Sequence, residues 1–171
     1  MKAIAILFCV LLLTTTAVSQ SRSRTTKSTK SETTAAAAAA QVRAEAATKV
    51  ANQIKNLTAF LYLLGGVAKR IEELDAAAKS IQDAPTTTVQ QNEQNKARLK
   101  STFTDFRVGL DALEIYFRGT PGLQSYYLKL AGSAAGAATA ENLASAGRYD
   151  QAGKSLLGVV NRLTDVLVIM P

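Results

Sequence analysis

Apolar residues recur at the helical period along most of the chain. In the first long segment, steps of four and three residues separate Val50, Ile54, Leu57, Leu61 and Leu64. Residues with this spacing share one face of an α-helix. The pattern therefore predicts an amphipathic helix that starts at about Thr34, before a run of alanines at residues 35–40 that favours helix.

The same spacing continues beyond Gly65 and Gly66, through Val67, Ile71, Leu74, Ala78 and Ile81. Two glycines in a helix interior cost about 2 kcal/mol relative to two alanines. The pattern fits either two helices with a tight break or one long helix kinked at the glycines, and we expect a break or a kink. Pro85 ends the segment, because proline disfavours a helical residue before it.

A second helix is predicted from about Thr88 to Arg118. It has the most regular apolar spacing in the chain, at Leu99, Phe103, Phe106, Leu110, Leu113 and Phe117. Gly119 suits the position after a helix end, and Thr120 and Pro121 suit the N-cap and the first turn of a following helix. We therefore expect one helix to stop and the next to begin within three residues.

The third predicted helix contains many small residues. Gly132, Gly136 and Ala140 are four residues apart and share a face, which favours close approach of a second helix. Residues 146–150 resemble a turn between helices, and residues 143–156 are similar to the inner turn of a tetratricopeptide repeat, with no second copy at the 34-residue period. A last helix follows, with its apolar face at Leu156, Val159, Leu163, Val166 and Met170.

These segments predict an all-α protein. Four to five amphipathic helices, short connections and no strand pattern are typical of an antiparallel up-and-down bundle. The bundle domain is predicted to occupy residues 35–171.

The first residues have the order of a secretory signal peptide. Lys2 is followed by an apolar run at residues 3–13 and by small residues that end at Ala17, Val18 and Ser19. The apolar run is too short to span a bilayer. We expect residues 1–19 to be removed and the protein to be secreted into an extracellular fluid, with no transmembrane span.

Residues 20–34 are rich in serine and threonine and lack apolar periodicity, so a flexible basic arm is predicted here. Its cations are Arg22, Arg24, Lys27 and Lys30, against one acid, Glu32. Spaced cations suit anionic surfaces. The whole chain has a net charge of +7, and much of the excess lies in this arm, so the charge does not indicate a groove for nucleic acid.

The residue types argue against catalysis. The chain has no histidine, and its single cysteine, Cys9, lies in the predicted signal peptide. A Ser-His or Cys-His nucleophile and an ordinary zinc site are therefore excluded. The acids are interleaved with lysine and arginine, as on a solvated helix face. We predict a non-enzymatic protein with no catalytic residues, no cofactor and no metal.

Two kinds of candidate site remain. Asn56, Leu57 and Thr58 form an N-glycosylation sequon, which makes Asn56 a candidate modification site. Two segments are apolar on every side, at residues 59–64 and 166–170, so each is either core or a surface for an apolar ligand or partner. The candidate surface residues are Phe60, Leu61, Leu64, Val166, Ile169 and Met170.

In format, the chain is similar to the insect exchangeable apolipoproteins, which are secreted, cysteine-free bundles of about five amphipathic helices. Their abundant charged helix faces are not matched, because only 19% of the residues here are charged. The leading hypothesis is a secreted protein that acts by binding an extracellular protein or an apolar ligand. The alternatives are a carrier of an apolar ligand or lipid surface, a self-associating structural protein with apolar seams paired between chains, and a cationic host-defence protein that acts through the arm.

Overall fold

The computed structural model describes residues 27–80 and 86–170, and the side chains of residues 34–79 and 86–170. These residues form five helices and their connections, without a strand in this part of the chain. The helices are α1 (Lys27–Ser80), α2 (Thr86–Gly119), α3 (Gln124–Leu130), α4 (Ser133–Ser145) and α5 (Tyr149–Ile169). The prediction of an all-α protein is thus confirmed. The predicted signal peptide, residues 1–19, lies outside the described residues, as do residues 20–26 of the predicted arm.

Four of the helices pack against one another. α1 contacts α2, α2 contacts α4, α4 contacts α5, and α5 contacts α1. The short helix α3 contacts α2 and α5. Each long helix therefore has two principal neighbours, and the core lies between the four.

The predicted apolar seams supply most of this core, although Val67 and Ala78 of the predicted α1 seam are exposed. In α1, the buried residues Val50, Leu57, Leu64 and Ile71 are seven residues apart, which keeps them on one face over several turns. Phe103, Leu110 and Phe117 of α2 repeat the same spacing and are also buried. The seam of α5 is buried at Leu156, Val159, Leu163 and Val166. The hydrophobic period of the sequence therefore identifies which face of each helix is covered.

α1 differs from its prediction in its first residue and in its continuity. It begins at Lys27, before the predicted start at about Thr34, and it continues through Gly65 and Gly66 to Ser80. Of the two alternatives, the break into two helices is wrong because α1 is one helix, and the kink at the glycines stays a prediction. Burial of Leu64 and Ile71 on either side of the glycine pair contributes about 1.5–3 kcal/mol for each side chain. Together these two side chains outweigh the cost of about 2 kcal/mol for two helical glycines.

The connection after α2 is a turn, where the sequence predicted the immediate start of a helix. The N–H of Leu123 donates to the carbonyl of Thr120 at 3.1 Å, and Gly122 has a φ of 84°. Proline followed by a positive-φ glycine is the signature of a type II turn. Thr120 and Pro121 are therefore turn residues, and α3 begins at Gln124.

The third predicted helix is divided into α3 and α4. Gly132 has a φ of 90°, which lies outside the helical region and separates the two helices. The hydroxyl of the buried Ser133 donates to the carbonyl of Leu130 at 2.7 Å. The expected close approach is confirmed at Gly136, where an added Cβ would lie 2.7 Å from Cγ2 of Val159 on α5.

Candidate apolar surface on the first helix

Two large apolar side chains point away from the core in the middle of α1. Tyr62 is 87% exposed and Leu63 is 61% exposed. The reason lies in the helical period, because Tyr62 and Leu63 lie on the side of α1 opposite the core face that Leu57 and Leu64 define. The exposed residues Ala59 and Val67 adjoin them. We call Ala59, Tyr62, Leu63 and Val67 the α1 patch.

A groove between α1 and α2 adjoins the α1 patch. It has a volume of about 250 Å³ and is lined by Phe60, Leu63, Leu64, Val67, Asn95, Arg98, Leu99 and Thr102. The ring of Phe60 is held edge-on against Phe103, with 5.2 Å between the ring centroids and an interplanar angle of 89°. Phe106 packs on the same ring at 5.1 Å. Of these three rings only Phe60 lines the groove, and Phe103 and Phe106 hold it in place.

The size of the groove limits what it can hold. Sites that enclose a small organic ligand usually have volumes of about 300–1,000 Å³, and this groove lies below that range. A second depression of about 730 Å³ lies on the outward side of the same helix and is lined by Ile54, Lys55, Thr58, Ala59, Tyr62 and Leu63. Its volume falls within that range, but residues of α1 alone line it, so it does not enclose a ligand. The arrangement suits an apolar surface or an acyl segment that lies along the helix more than a ligand that is engulfed.

The charges around the α1 patch are mostly basic. Residues 56–68 contain no charged side chain. Lys55 precedes this stretch, Lys69 and Arg70 follow it, and Arg98 lines the groove from α2. Lys69 has an acidic neighbour, Glu73, at 3.8 Å, but their side chains are 78% and 65% exposed, so the pair is weak. The patch is therefore an apolar surface with a basic rim.

The two apolar segments predicted from the sequence do not form one surface. Phe60 and Leu61 are partly buried and Leu64 is buried. Val166 and Met170 belong to the core, and Ile169 is 45% exposed. A Cβ on Gly153 of α5 would lie 3.3 Å from Leu64, and Val166 is thirteen residues farther along α5, which corresponds to about 20 Å.

The sequence did not single out Tyr62 or Leu63, and it placed Val67 on the apolar seam, which is wrong because Val67 is 38% exposed. Residue type marked the whole segment 59–64 as apolar, and it did not distinguish the side chains that meet another helix from those that meet solvent. The seven-residue spacing of the buried residues in α1 is the signal that identifies them. Counted from Leu57 and Leu64, it places Tyr62 and Leu63 on the outer side.

The other candidate residues lie elsewhere on α1 or before it. Asn56 is exposed on α1, although its neighbour Leu57 is buried. Arg22 and Arg24 lie outside the described residues, and Lys27 and Lys30 lie in the first turns of α1. The predicted role of these four cations at anionic surfaces stays a prediction.

Two polar clusters connect helices away from the patch. Between α2 and α4, the carboxylate of Glu141 accepts hydrogen bonds from the hydroxyl of Thr104 at 2.6 Å and from Nε of Arg107 at 2.7 Å. The Thr104 and Arg107 bonds hold the pKa of Glu141 below its ordinary value because they stabilise the charged form. This cluster fixes the register of α2 on α4.

The second cluster joins the C-terminal part of α1 to α2 and lies near α5. Asp75 accepts hydrogen bonds from the buried Asn92 and from Nζ of Lys96, each at 2.7 Å. Hydrogen bonds to Asp75 and Glu93 raise the pKa of Lys96. Burial raises the pKa of the Tyr149 phenol, because the charged phenolate is poorly solvated there.

In the described parts of the chain, no group of three or more His, Cys, Asp or Glu side chains could hold a metal ion. Nor is any helix in those parts long and apolar enough to cross a membrane. Comparisons with protein-family models, with curated proteins and with solved structures found no match to this chain.

Proposed function

We propose that the protein is secreted and non-enzymatic, and that it acts by binding an apolar ligand or a lipid surface through the α1 patch. The observation that carries this proposal is the exposure of Tyr62 and Leu63 beside the groove between α1 and α2. Contiguous exposed apolar side chains with a polar rim mark interaction sites more often than inert surface. Of the six candidate residues, the three buried ones, Leu64, Val166 and Met170, have a structural role in this proposal, and the patch residues contact the ligand.

The binding surface is carried by an antiparallel up-and-down bundle. Contacts between α1 and α2 support this arrangement, because residue numbers fall on one helix as they rise on the other. Asp75 contacts Lys96, Phe60 contacts Phe103, and Lys49 lies over the ring of Tyr116 at 5.0 Å. The same reversal supports opposite directions for α4 and α5, where Gly136 contacts Ser155 and the carbonyl of Ala131 accepts from Arg162.

The energetic case rests on two side chains. Burial of one large apolar side chain contributes about 1.5–3 kcal/mol, and each factor of ten in affinity corresponds to about 1.4 kcal/mol. Docking of Tyr62 and Leu63 alone therefore supplies about two to four orders of magnitude in affinity, before the costs of association. Neither side chain is needed for the core.

Flotation of the secreted protein with phospholipid vesicles, and its titration with a long-chain fatty acid, test the proposal. We expect association with at least one of these ligands and its loss in the double variant Tyr62→Ser/Leu63→Ser. The matched control is Leu128→Ser/Val168→Ser, which removes two apolar side chains of α3 and α5 that are 77% and 78% exposed. Association that is absent from the native protein, or that both double variants reduce equally, would overturn the proposal.

Self-association is a second candidate function, which a different surface favours. Val108, Ala112 and Ile115 are all exposed on α2 and are spaced as on one helix face. Two copies of this stripe can pair as two apolar helix faces. Sedimentation at micromolar concentration tests it. A dimer that Ile115→Glu dissociates supports the candidate, and a monomer in the native protein rejects it.

A further inference from the structure

We infer that the partner of the α1 patch is the surface of an anionic phospholipid membrane, with α1 lying parallel to the bilayer. In this arrangement Tyr62 and Leu63 enter the boundary between headgroups and acyl chains. Lys55, Lys69 and Arg70 contact anionic headgroups. The inference rests on the proposed function and adds the chemistry of the partner.

The spacing of residues on α1 carries the argument. Lys55, Tyr62 and Lys69 are seven residues apart, as are Asn56, Leu63 and Arg70. Residues at this spacing lie nearly above one another on a helix. The outer face of α1 therefore has two rows, each with an apolar side chain in the middle and a cation at one end or both. The exposed residues Ala59, Gly66 and Glu73 lie between these rows.

The dimensions of these rows fit a helix in the plane of a membrane. Lys69 lies fourteen positions after Lys55, a length of about 21 Å along the helix. The stretch between them has no charge, and the inner side of α1 is occupied by core residues such as Leu57 and Leu64. A helix with one face bound to protein and the other apolar with flanking cations matches an interfacial helix.

The basic rim of the α1 patch distinguishes an anionic membrane from other apolar partners. Arg98 on α2 adds a cation at the edge of the groove, on the same side of the molecule as Val67. Glu73 pairs with Lys69, and Glu72 is also exposed at this end of the patch. Counted against Lys55, Lys69, Arg70 and Arg98, these two acids leave a net charge of +2, so the rim remains basic. A neutral apolar surface would gain nothing from this rim, whereas each Lys or Arg near an anionic membrane strengthens binding by about fivefold.

The experiment measures flotation with phosphatidylcholine vesicles, with and without phosphatidylserine, at low and high salt. The native protein is expected to bind the vesicles with phosphatidylserine more tightly and to lose affinity as salt increases. Lys55→Gln/Lys69→Gln is expected to weaken that binding by roughly twenty- to thirtyfold. The matched control, Lys129→Gln/Lys154→Gln, makes the same change of charge at exposed positions on α3 and α5 and is expected to bind nearly as well as the native protein.

The contrary outcomes separate failure of this inference from failure of the proposed function. Equal binding to both vesicle types, or equal loss in the two lysine variants, would overturn the anionic-membrane inference and leave the proposed apolar binding intact. Fatty-acid binding that Tyr62→Ser/Leu63→Ser removes, without vesicle binding, would do the same. Capture of an acidic protein at the rim, without vesicle binding, would also overturn it. Failure to bind vesicles and fatty acid would overturn both. Helical circular dichroism and an unchanged melting temperature establish that the variants are folded.

Discussion

Asn56 and Leu63 lie seven residues apart on the same exposed row of α1, about 10 Å from each other along the helix. Both side chains are exposed, and Arg70 continues the row. A glycan on Asn56 would therefore extend over the surface that we propose for binding. Modification of Asn56 and insertion of Leu63 into a membrane are incompatible on this geometry.

The first prediction follows from this overlap. Protein glycosylated at Asn56 is expected to bind anionic vesicles at least about tenfold more weakly than Thr58→Ala, which lacks the sequon, because burial of even one large apolar side chain contributes about 1.5 kcal/mol. Mass spectrometry before and after glycosidase treatment measures the occupancy, and flotation measures the binding. Asn56→Gln, which removes the acceptor itself, should match Thr58→Ala. Equal binding by the glycosylated and unglycosylated forms would contradict the proposed orientation of α1.

The second prediction concerns the glycine pair in α1. Gly65 and Gly66 are exposed, and an added Cβ at either position would meet no atom within 4 Å. Gly65→Ala and Gly66→Ala are therefore expected to stabilise the protein by up to about 1 kcal/mol each. In a protein of this size, the melting temperature should rise by about 2–4 °C for each substitution. A decrease measured by thermal circular dichroism would mean that α1 does not continue through this pair in solution.

The glycine pair also illustrates what the sequence could and could not predict. The seam of α1 was predictable because Val50, Leu57, Leu64 and Ile71 repeat at the helical period. The continuity of α1 was not, because it depends on burial against other helices. The same limitation applies to the site. Segment 59–64 was recognisable as apolar, but only the neighbouring helices determine that Phe60 faces Phe103 while Tyr62 faces solvent.

The end of α3 was unpredictable for a different reason. Gly132 and Gly136 have similar sequence neighbours. Gly132 nevertheless has a positive φ and separates α3 from α4, whereas Gly136 is helical. The sequence between Leu123 and Ala140 has continuous helical spacing, so it predicted one helix. The packing of Arg162 of α5 near Gly132 brings α5 to this turn. It cannot be predicted from the local spacing of apolar residues.

The third prediction uses the close approach of α4 and α5. A Cβ on Gly136 would lie 2.7 Å from Cγ2 of Val159, and a valine side chain in a helix has little rotamer freedom with which to move away. Gly136→Ala is expected to destabilise the protein by about 1–3 kcal/mol. Gly158→Ala is the matched control on α5, since its Cβ would meet nothing within 4 Å. Urea denaturation that gives equal midpoints for the two variants would contradict the packing.

The fourth prediction concerns acid stability. Hydrogen bonds from Thr104 and Arg107 lower the pKa of Glu141 from its ordinary value of 4.5. The folded protein therefore releases this proton more readily than the unfolded chain. The resulting stability is present above pH 4.5 and is lost as the pH falls through the lower pKa of the folded state. Glu141→Gln is expected to lower the free energy of unfolding by about 1–2 kcal/mol at neutral pH. It is also expected to reduce the loss of stability on acidification.

Urea midpoints measured from neutral pH to about pH 3 provide the test, because this window spans the ordinary carboxylate pKa. The matched control is Asp165→Asn, which neutralises an exposed acid on α5. If native protein and Glu141→Gln lose stability in parallel as the pH falls, the ion pair with Arg107 does not contribute in solution.

The fifth prediction concerns alkaline stability and has the opposite sign. Burial raises the pKa of Tyr149 above its ordinary value of 10.0, and nearby Asp75, Glu72 and Glu93 act in the same direction against Lys96. The folded state therefore retains the phenolic proton at a pH where the unfolded chain loses it. This contribution to stability is present below pH 10 and is lost as the pH rises through the higher folded-state pKa.

Lys96 contributes in the same direction, since its pKa is also raised, from 10.5, by hydrogen bonds to Asp75 and Glu93. Tyr149→Phe keeps the buried ring and removes the ionisable hydroxyl, so it is expected to flatten the loss of stability above pH 10 without abolishing it. Tyr62→Phe removes an exposed hydroxyl and serves as the matched control, with an alkaline profile that follows the native protein. Tyr149 is the first residue of α5, and Asp75 lies near the end of α1. A flatter dependence of stability on alkaline pH in Tyr149→Phe alone would therefore locate the alkaline transition where these helix ends meet. A native slope in Tyr149→Phe would mean that the phenol is hydrated in solution and that α5 does not cover it.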